Sequence, residues 1–178
     1  MTGALRSVKV KYLRYGKAHT HRRKRILFVC LGNICRSPLA EGLFQQLLEQ
    51  RGIQNQYTVS SAGTRNWNIG SRPDGRMAAT ARRHGITLMG RAQQITMQDF
   101  DHFDLLMAMD RTNREELQSM AQHQPTPVNI QLLRNFDPLS GSNEDIPDPY
   151  YGDDAVFESV YQIVERACVA LLSALENE

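Results

Sequence analysis

Five residues separate Cys30 from Arg36 in Val29-Cys30-Leu31-Gly32-Asn33-Ile34-Cys35-Arg36-Ser37-Pro38. A thiol and a guanidinium on one short loop, entering a helix, suit nucleophilic chemistry on a tetrahedral oxyanion. The backbone N–H groups of Leu31, Gly32, Asn33, Ile34, Cys35 and Arg36 can converge on such an anion, and the dipole of the following helix adds to them. Arg36 brings a planar fork that matches two oxygens of a phosphate. A field of this kind favours the thiolate, the form of cysteine that attacks. Gly32 is expected to supply backbone freedom, and Asn33 tolerates the left-handed region better than most residues.

A phosphate ester also needs a proton for its leaving group. Asp148, in Ile146-Pro147-Asp148-Pro149-Tyr150-Tyr151-Gly152, is the candidate donor. Its flanking prolines stiffen the loop, and its aromatic neighbours are expected to keep water away. An acid in the first half of such a reaction can act as the base in the second.

Regular elements must hold these residues together. Residues 26–31 form an apolar run of β-formers, the pattern of a strand buried on both faces in a parallel sheet. Ser37 can then cap a helix with Pro38 at its first position. Leu39, Leu43, Phe44, Leu47 and Leu48 make its inward stripe, and Gly52 stops it. Residues 57–62 read as a second strand, followed by a loop to Gly75 that carries Trp67, the one tryptophan. Pro73 or Asp74 opens a second helix, with Met77, Ala78, Ala81 and His84 on one face and Gly85 at its end. Residues 96–100 suggest a short helix and 105–109 a third strand. Asp110 can cap a helix starting near Thr112. Residues 129–133 form a weaker fourth strand. A last helix begins near Asp154, with Phe157, Val160, Val164, Cys168, Leu171 and Leu175 inward.

Alternating strands and helices predict an α/β fold: a single doubly wound domain with a four-stranded parallel sheet flanked by helices, and a phosphate-binding loop after the first strand. Ligands of such sheets lie at the carboxyl ends of the strands. The Cys30–Arg36 loop, the loop after Ala62, and Asp110 all fall there.

With 178 residues and 41% hydrophobic composition, the chain suits one domain with a real core. The net charge of +2 conceals an asymmetry. Residues 1–25 hold nine Lys and Arg and no acid; the rest holds twelve Arg, no Lys and all 19 acids. The basic segment 1–25 is expected to be a solvated, poorly ordered tail outside the domain at 26–178. Targeting, or contact with nucleic acid or a membrane, are its alternative readings. It lacks the apolar centre of a signal peptide, and no apolar run approaches the roughly 20 residues of a membrane span. Three cysteines make a poor disulfide framework and suggest a reducing, cytoplasmic setting.

The segment from Val29 to Pro38, together with Asp148-Pro149-Tyr150-Tyr151-Gly152, resembles the low-molecular-weight protein tyrosine phosphatases. The resemblance spans about residues 25–175 and leaves the basic tail without a counterpart. It implies that Cys30 is the nucleophile, Arg36 the phosphate and transition-state clamp, and Asp148 the general acid and then base. Asn33, Ser37, Ser61 and His84 would form the network that supports the loop. Ile34, Trp67, Tyr150 and Tyr151 would wall the substrate ring. Cys35 would be a redox partner able to trap Cys30 as a reversible disulfide. The resemblance implies no metal and no cofactor. Expected partners are phosphotyrosine proteins or aryl phosphates, with inorganic phosphate as product and no nucleic acid. The chain is expected to be monomeric, with a weak dimer as the alternative.

Each assignment has a plainer rival. Cys30 and Arg36 could be a buried strand thiol and a surface cation, Cys35 a passive small residue, His84 a core histidine, and Trp67 a loop anchor. Cys168 fits a packing role. Asp110 is either a helix cap or a partner of Arg36. Among functions, an arsenate reductase would need further cysteines, and residues 80–100 contain none. Protein-arginine phosphatases resemble this loop but carry Thr where Ile34 stands, and the added apolar bulk favours a flat phenyl ring. A phosphopeptide-binding module would need neither a nucleophile nor an acid.

Overall fold

The computed structural model describes residues 22–142 and 145–177. Strands β1 (Lys24–Cys30), β2 (Tyr57–Gly63), β3 (Leu105–Ala108) and β4 (Ile130–Leu132) form one sheet in the order β2-β1-β3-β4. Every pairing is parallel. Helices α1 (Arg36–Arg51), α2 (Gly75–Arg83), α3 (Met97–His102), α4 (Arg111–Ala121) and α5 (Asp154–Glu176) connect and cover the strands. The expected four-stranded, doubly wound α/β architecture is therefore the observed one.

The continuous apolar run of β1 is explained by its two neighbours and two covered faces. Ile26, Phe28 and Cys30 point into a core shared with α1, α2 and α5. Leu27 and Val29 point into a second core with Phe100 of α3 and Leu117 of α4. Successive strand side chains face opposite ways, so a strand covered on both sides must be apolar throughout. Pairing Cys30 with Gly63, and Val29 with both Ala62 and Ala108, brings three strand ends level. The loops that leave those ends share one rim of the sheet.

Two local expectations change. α1 begins two residues earlier than expected, and Ser37 lies inside its first turn rather than capping it. The Ser37 hydroxyl is committed to the loop instead. Gly52 does end α1, with φ of 69°. The strand also begins at Lys24, inside the segment expected to be tail. Arg22 and Arg25 pair with Asp104 just before β3, because the neighbouring strand supplies a carboxylate that a solvated tail would lack. The remainder of the tail expectation, residues 1–21, lies outside the described residues.

Candidate active site

The loop after β1 folds around the Cys30 sulfur. Asn33 donates its backbone N–H to Cys30 Sγ at 3.3 Å, and Ser37 Oγ lies 3.0 Å from the same sulfur. Asn33 is the only non-glycine residue with positive φ among the described residues, at 54°. Three hydrogen bonds lock that strained conformation. Asn33 Nδ2 donates to Ser37 Oγ and Ser61 Oγ, each at 2.9 Å, and Asn33 Oδ1 accepts from the Gln93 N–H at 2.9 Å. Ser37 and Ser61 thus both meet Asn33 beside the Cys30 loop. Gly32 does not carry the left-handed turn. Its missing side chain makes room for Asn68, whose amide donates to the Gly32 carbonyl at 3.2 Å and would sit 2.5 Å from an added Cβ.

Arg36 is 2% exposed at the start of α1. Its Nη1 donates to Asp110 Oδ2 at 2.6 Å and to the Ile146 carbonyl at 3.1 Å; Nη2 donates to Asp148 Oδ2 at 2.9 Å. These contacts use three of the five guanidinium donors, and the other two suffice for two oxygens of an anion. Burial alone would lower its pKa, but Cys30, Asp148 and Asp110 together hold it above the ordinary value. Asp110 therefore plays both roles left open by the sequence. It caps α4 by accepting from the Asn113 N–H at 2.7 Å, and it anchors Arg36.

Asp148 reaches the same cleft from the loop before α5. Ile146 is fully buried and pins that loop to β3, donating its N–H to the Met109 carbonyl at 2.9 Å. Asp148 Oδ1 accepts from the Tyr150 N–H at 3.2 Å. The expected water exclusion is not seen, since the Asp148 side chain is 42% exposed. Tyr150 and Tyr151 pack edge to face on each other and leave the carboxylate at an open mouth.

The cleft has a volume of about 310 Å³, with Cys30 and Arg36 at its floor and Ile34, Trp67, Tyr150 and Tyr151 around it. The walls are an open rim: Trp67 is 69% and Tyr151 97% exposed. Cys35 is buried beside the loop. Burial first, then the charges of Asp74, Cys30 and Asp148, push its pKa well above the usual thiol range, so it remains a protonated thiol. All three cysteines are free.

His84 departs from its expected place. It ends α2, where its Nε2 lies 2.7 Å from Glu158 Oε1 and its ring stacks on Tyr161 with centroids 3.7 Å apart. The helical spacing puts it toward α5, and α5 supplies a carboxylate and an aromatic face there. It joins two helices and makes no hydrogen bond to the loop among the described contacts.

Residues 25–178 match the family profile described as low molecular weight phosphotyrosine protein phosphatase. The chain belongs to that family. The human low molecular weight phosphotyrosine protein phosphatase is 43% identical over 150 residues, covering 84% of this chain and 94% of its own. A protein tyrosine phosphatase from Entamoeba histolytica superposes with a TM-score of 0.80 at 33% identity, covering 86% of this chain and 97% of its own. A Drosophila arginine phosphatase superposes with a TM-score of 0.79 at 36% identity, covering 84% and 96%.

Three residues of the phosphatase-family site escaped the sequence reading. Asn68 sits beside Trp67 in the same loop. Gln93 joins the network through its backbone, which no side-chain pattern reveals. Glu41 accepts from Ser61 at 2.6 Å. Its one available signal was an acidic residue one turn after Ser37, close to the apolar stripe of α1.

Proposed function

We propose that this chain hydrolyses phosphotyrosine in proteins through a phosphocysteine intermediate. The carrying observation is that the Cys30 loop, Arg36 and Asp148 meet in one cleft, with Asp148 held 2.9 Å from Arg36. The thiolate of Cys30 attacks phosphorus while the bond to the phenolic oxygen breaks. Arg36 and the loop N–H groups hold the equatorial oxygens as charge spreads over them. Asp148 gives its proton to the departing phenolate. As a carboxylate it then takes a proton from water, which attacks phosphorus, breaks the P–S bond and releases inorganic phosphate and the Cys30 thiolate.

The aromatic rim and Ile34 support a phenyl ring over a guanidinium. The arginine phosphatase among the similar structures makes phosphoarginine the substrate to compare. Three free thiols suit a reducing compartment, the cytoplasm being the one expected, and no described helix is long and apolar enough to cross a membrane. Burial beside Cys30 as a protonated thiol supports Cys35 as its reversible redox partner.

Cys30→Ser is expected to abolish hydrolysis of aryl phosphates while phosphate still binds. Asp148→Asn should slow phenyl phosphate cleavage by about 10²- to 10⁴-fold, with a smaller loss for esters of better leaving groups. Undiminished turnover by Cys30→Ser, or faster hydrolysis of phosphoarginine than of phosphotyrosine peptides, would refute the assignment.

A further inference from the structure

The loop that carries Cys30 is wired through the end of β2 to α1, on the same face of the sheet. Asn33 Oδ1 takes the Gln93 N–H, so its amide nitrogen must face Ser37 and Ser61. Both hydroxyls therefore accept from Asn33. A hydroxyl has a single proton, and that constraint fixes where each proton goes. The Ser61 proton must point outward, and Glu41 Oε2 receives it at 2.6 Å. The Ser37 proton has two choices, the Ala62 carbonyl at 3.2 Å or the Cys30 sulfur at 3.0 Å. It can turn to the sulfur when the thiolate forms.

From this wiring we infer that Glu41 is a positioning residue, the outer acceptor that holds the Ser61 proton away from Asn33 and so keeps Ser61 a fixed acceptor for the side chain that braces the Cys30 loop. The inference rests on the proposed role of Cys30. Glu41 stands on α1, one turn and a half from Arg36, and touches neither the cleft nor the reacting atoms. Its end of the network opens on a second cavity of about 230 Å³, lined also by Asn33, Ser61 and Gly90. Without the carboxylate, Ser61 would turn to mobile water, and the direction of its proton would no longer be set. Asn33 would keep its left-handed conformation with one less fixed partner.

A carboxylate is an expensive way to fill this place. Burial pushes the Glu41 pKa up, against the hydrogen bonds from Ser61 and Gln45.

The test compares Glu41→Leu, which removes the acceptor, with Glu41→Gln, which retains an acceptor oxygen for Ser61. Two readouts are taken on the full chain: the iodoacetamide alkylation rate of Cys30, and kcat and KM on an aryl phosphate. Glu41→Leu should slow alkylation and lower kcat by about tenfold, the worth of one oriented buried hydrogen bond, with KM changing less. Glu41→Gln should restore most of both. Combining Glu41→Leu with Ser61→Ala should lose no more than Ser61→Ala alone, because both cut the same link. Unchanged alkylation in Glu41→Leu, a Gln variant as slow as the Leu variant, or additive losses in the double variant would overturn the inference. If Glu41→Leu does not fold, Ser61→Ala carries the test, and an unchanged alkylation rate there refutes it. Alkylation is read independently of phosphate hydrolysis. A wild-type chain that does not cleave aryl phosphates would overturn the proposed function and leave the network to be judged on alkylation.

Discussion

Gly63→Ala should damage the active site without touching any reacting residue. Gly63 closes β2 opposite Cys30 in the sheet register. A Cβ there would lie 2.8 Å from the Leu31 carbonyl oxygen, 3.1 Å from the Asn33 nitrogen and 3.1 Å from the Gly32 carbonyl carbon. All three are backbone atoms of the phosphate-binding loop, so no side-chain rotation relieves the contact. Carbon and oxygen ordinarily approach to about 3.3 Å, so β2 or the loop must move by about 0.5 Å. β2 is held on the far side by reciprocal bonds, Gly63 N–H to the Gln93 carbonyl at 2.8 Å and Ile95 N–H to the Gly63 carbonyl at 2.9 Å. The Thr64 and Arg65 N–H groups are meanwhile bonded to the Cys30 and Leu31 carbonyls at 2.9 and 3.0 Å. The displacement falls on the loop. Overpacking of this kind destabilises by about 1–3 kcal/mol. A misplacement of about 1 Å can lower a rate by about 10²-fold, so half of that should cost about tenfold in kcat/KM, or about 1.4 kcal/mol of barrier. The assay is kcat/KM on an aryl phosphate beside the inhibition constant of inorganic phosphate and the melting temperature. Gly75→Ala is the control. Gly75 opens α2, nothing lies within 4 Å of an added Cβ, and its φ is not positive. That change should leave activity alone and stabilise by up to about 1 kcal/mol. A folded Gly63→Ala protein with wild-type kcat/KM and phosphate affinity would refute the reasoning.

Two further outcomes follow from other parts of the molecule. Asp137 is 2% exposed, and its carboxylate takes Arg166 through two contacts of 2.9 Å each, with Arg134 at 3.2 Å. Burial alone would raise its pKa, but these arginines and the Leu139 N–H hold it below the usual value. Its stabilisation is thus present above the unfolded carboxyl pKa of about 3.9 and is lost as pH falls through the lower folded value. Urea unfolding across that acid range should show the loss, and Asp137→Asn should flatten it while destabilising the neutral protein by about 3 kcal/mol; an unaltered acid slope in the variant would contradict this. Peroxide should oxidise Cys30 to a sulfenic acid, which condenses with the Cys35 thiol and releases water. Mass spectrometry should find the Cys30–Cys35 bridge, and Cys35→Ser should make inactivation harder to reverse with thiol; a bridge-free oxidised protein would remove that role.

The amino-acid sequence alone determined the fold class and the chemical centre of this phosphatase-family member. Both are local signals. An apolar run with no polar alternation can only be a strand covered on both faces, as Ile26, Leu27, Phe28 and Val29 are. A cysteine and an arginine separated by five residues, between strand and helix, mark an anion-binding loop in the sequence itself. Asp148 was legible because its stiff, aromatic loop is itself a short motif. What only the tertiary structure decided was the identity of partners. Ser37 could cap a helix or serve the loop, and the nearness of Asn33, Ala62 and Cys30 made it serve the loop. His84 could face the loop or α5, and Glu158 with Tyr161 drew it to α5. Asp110 gained Arg36, and Ser61 gained Glu41 across 20 residues of chain. Hydrogen bonds between distant segments depend on register and on where each strand ends. Periodicity fixes which face a side chain occupies, and packing of the whole chain fixes what it meets there.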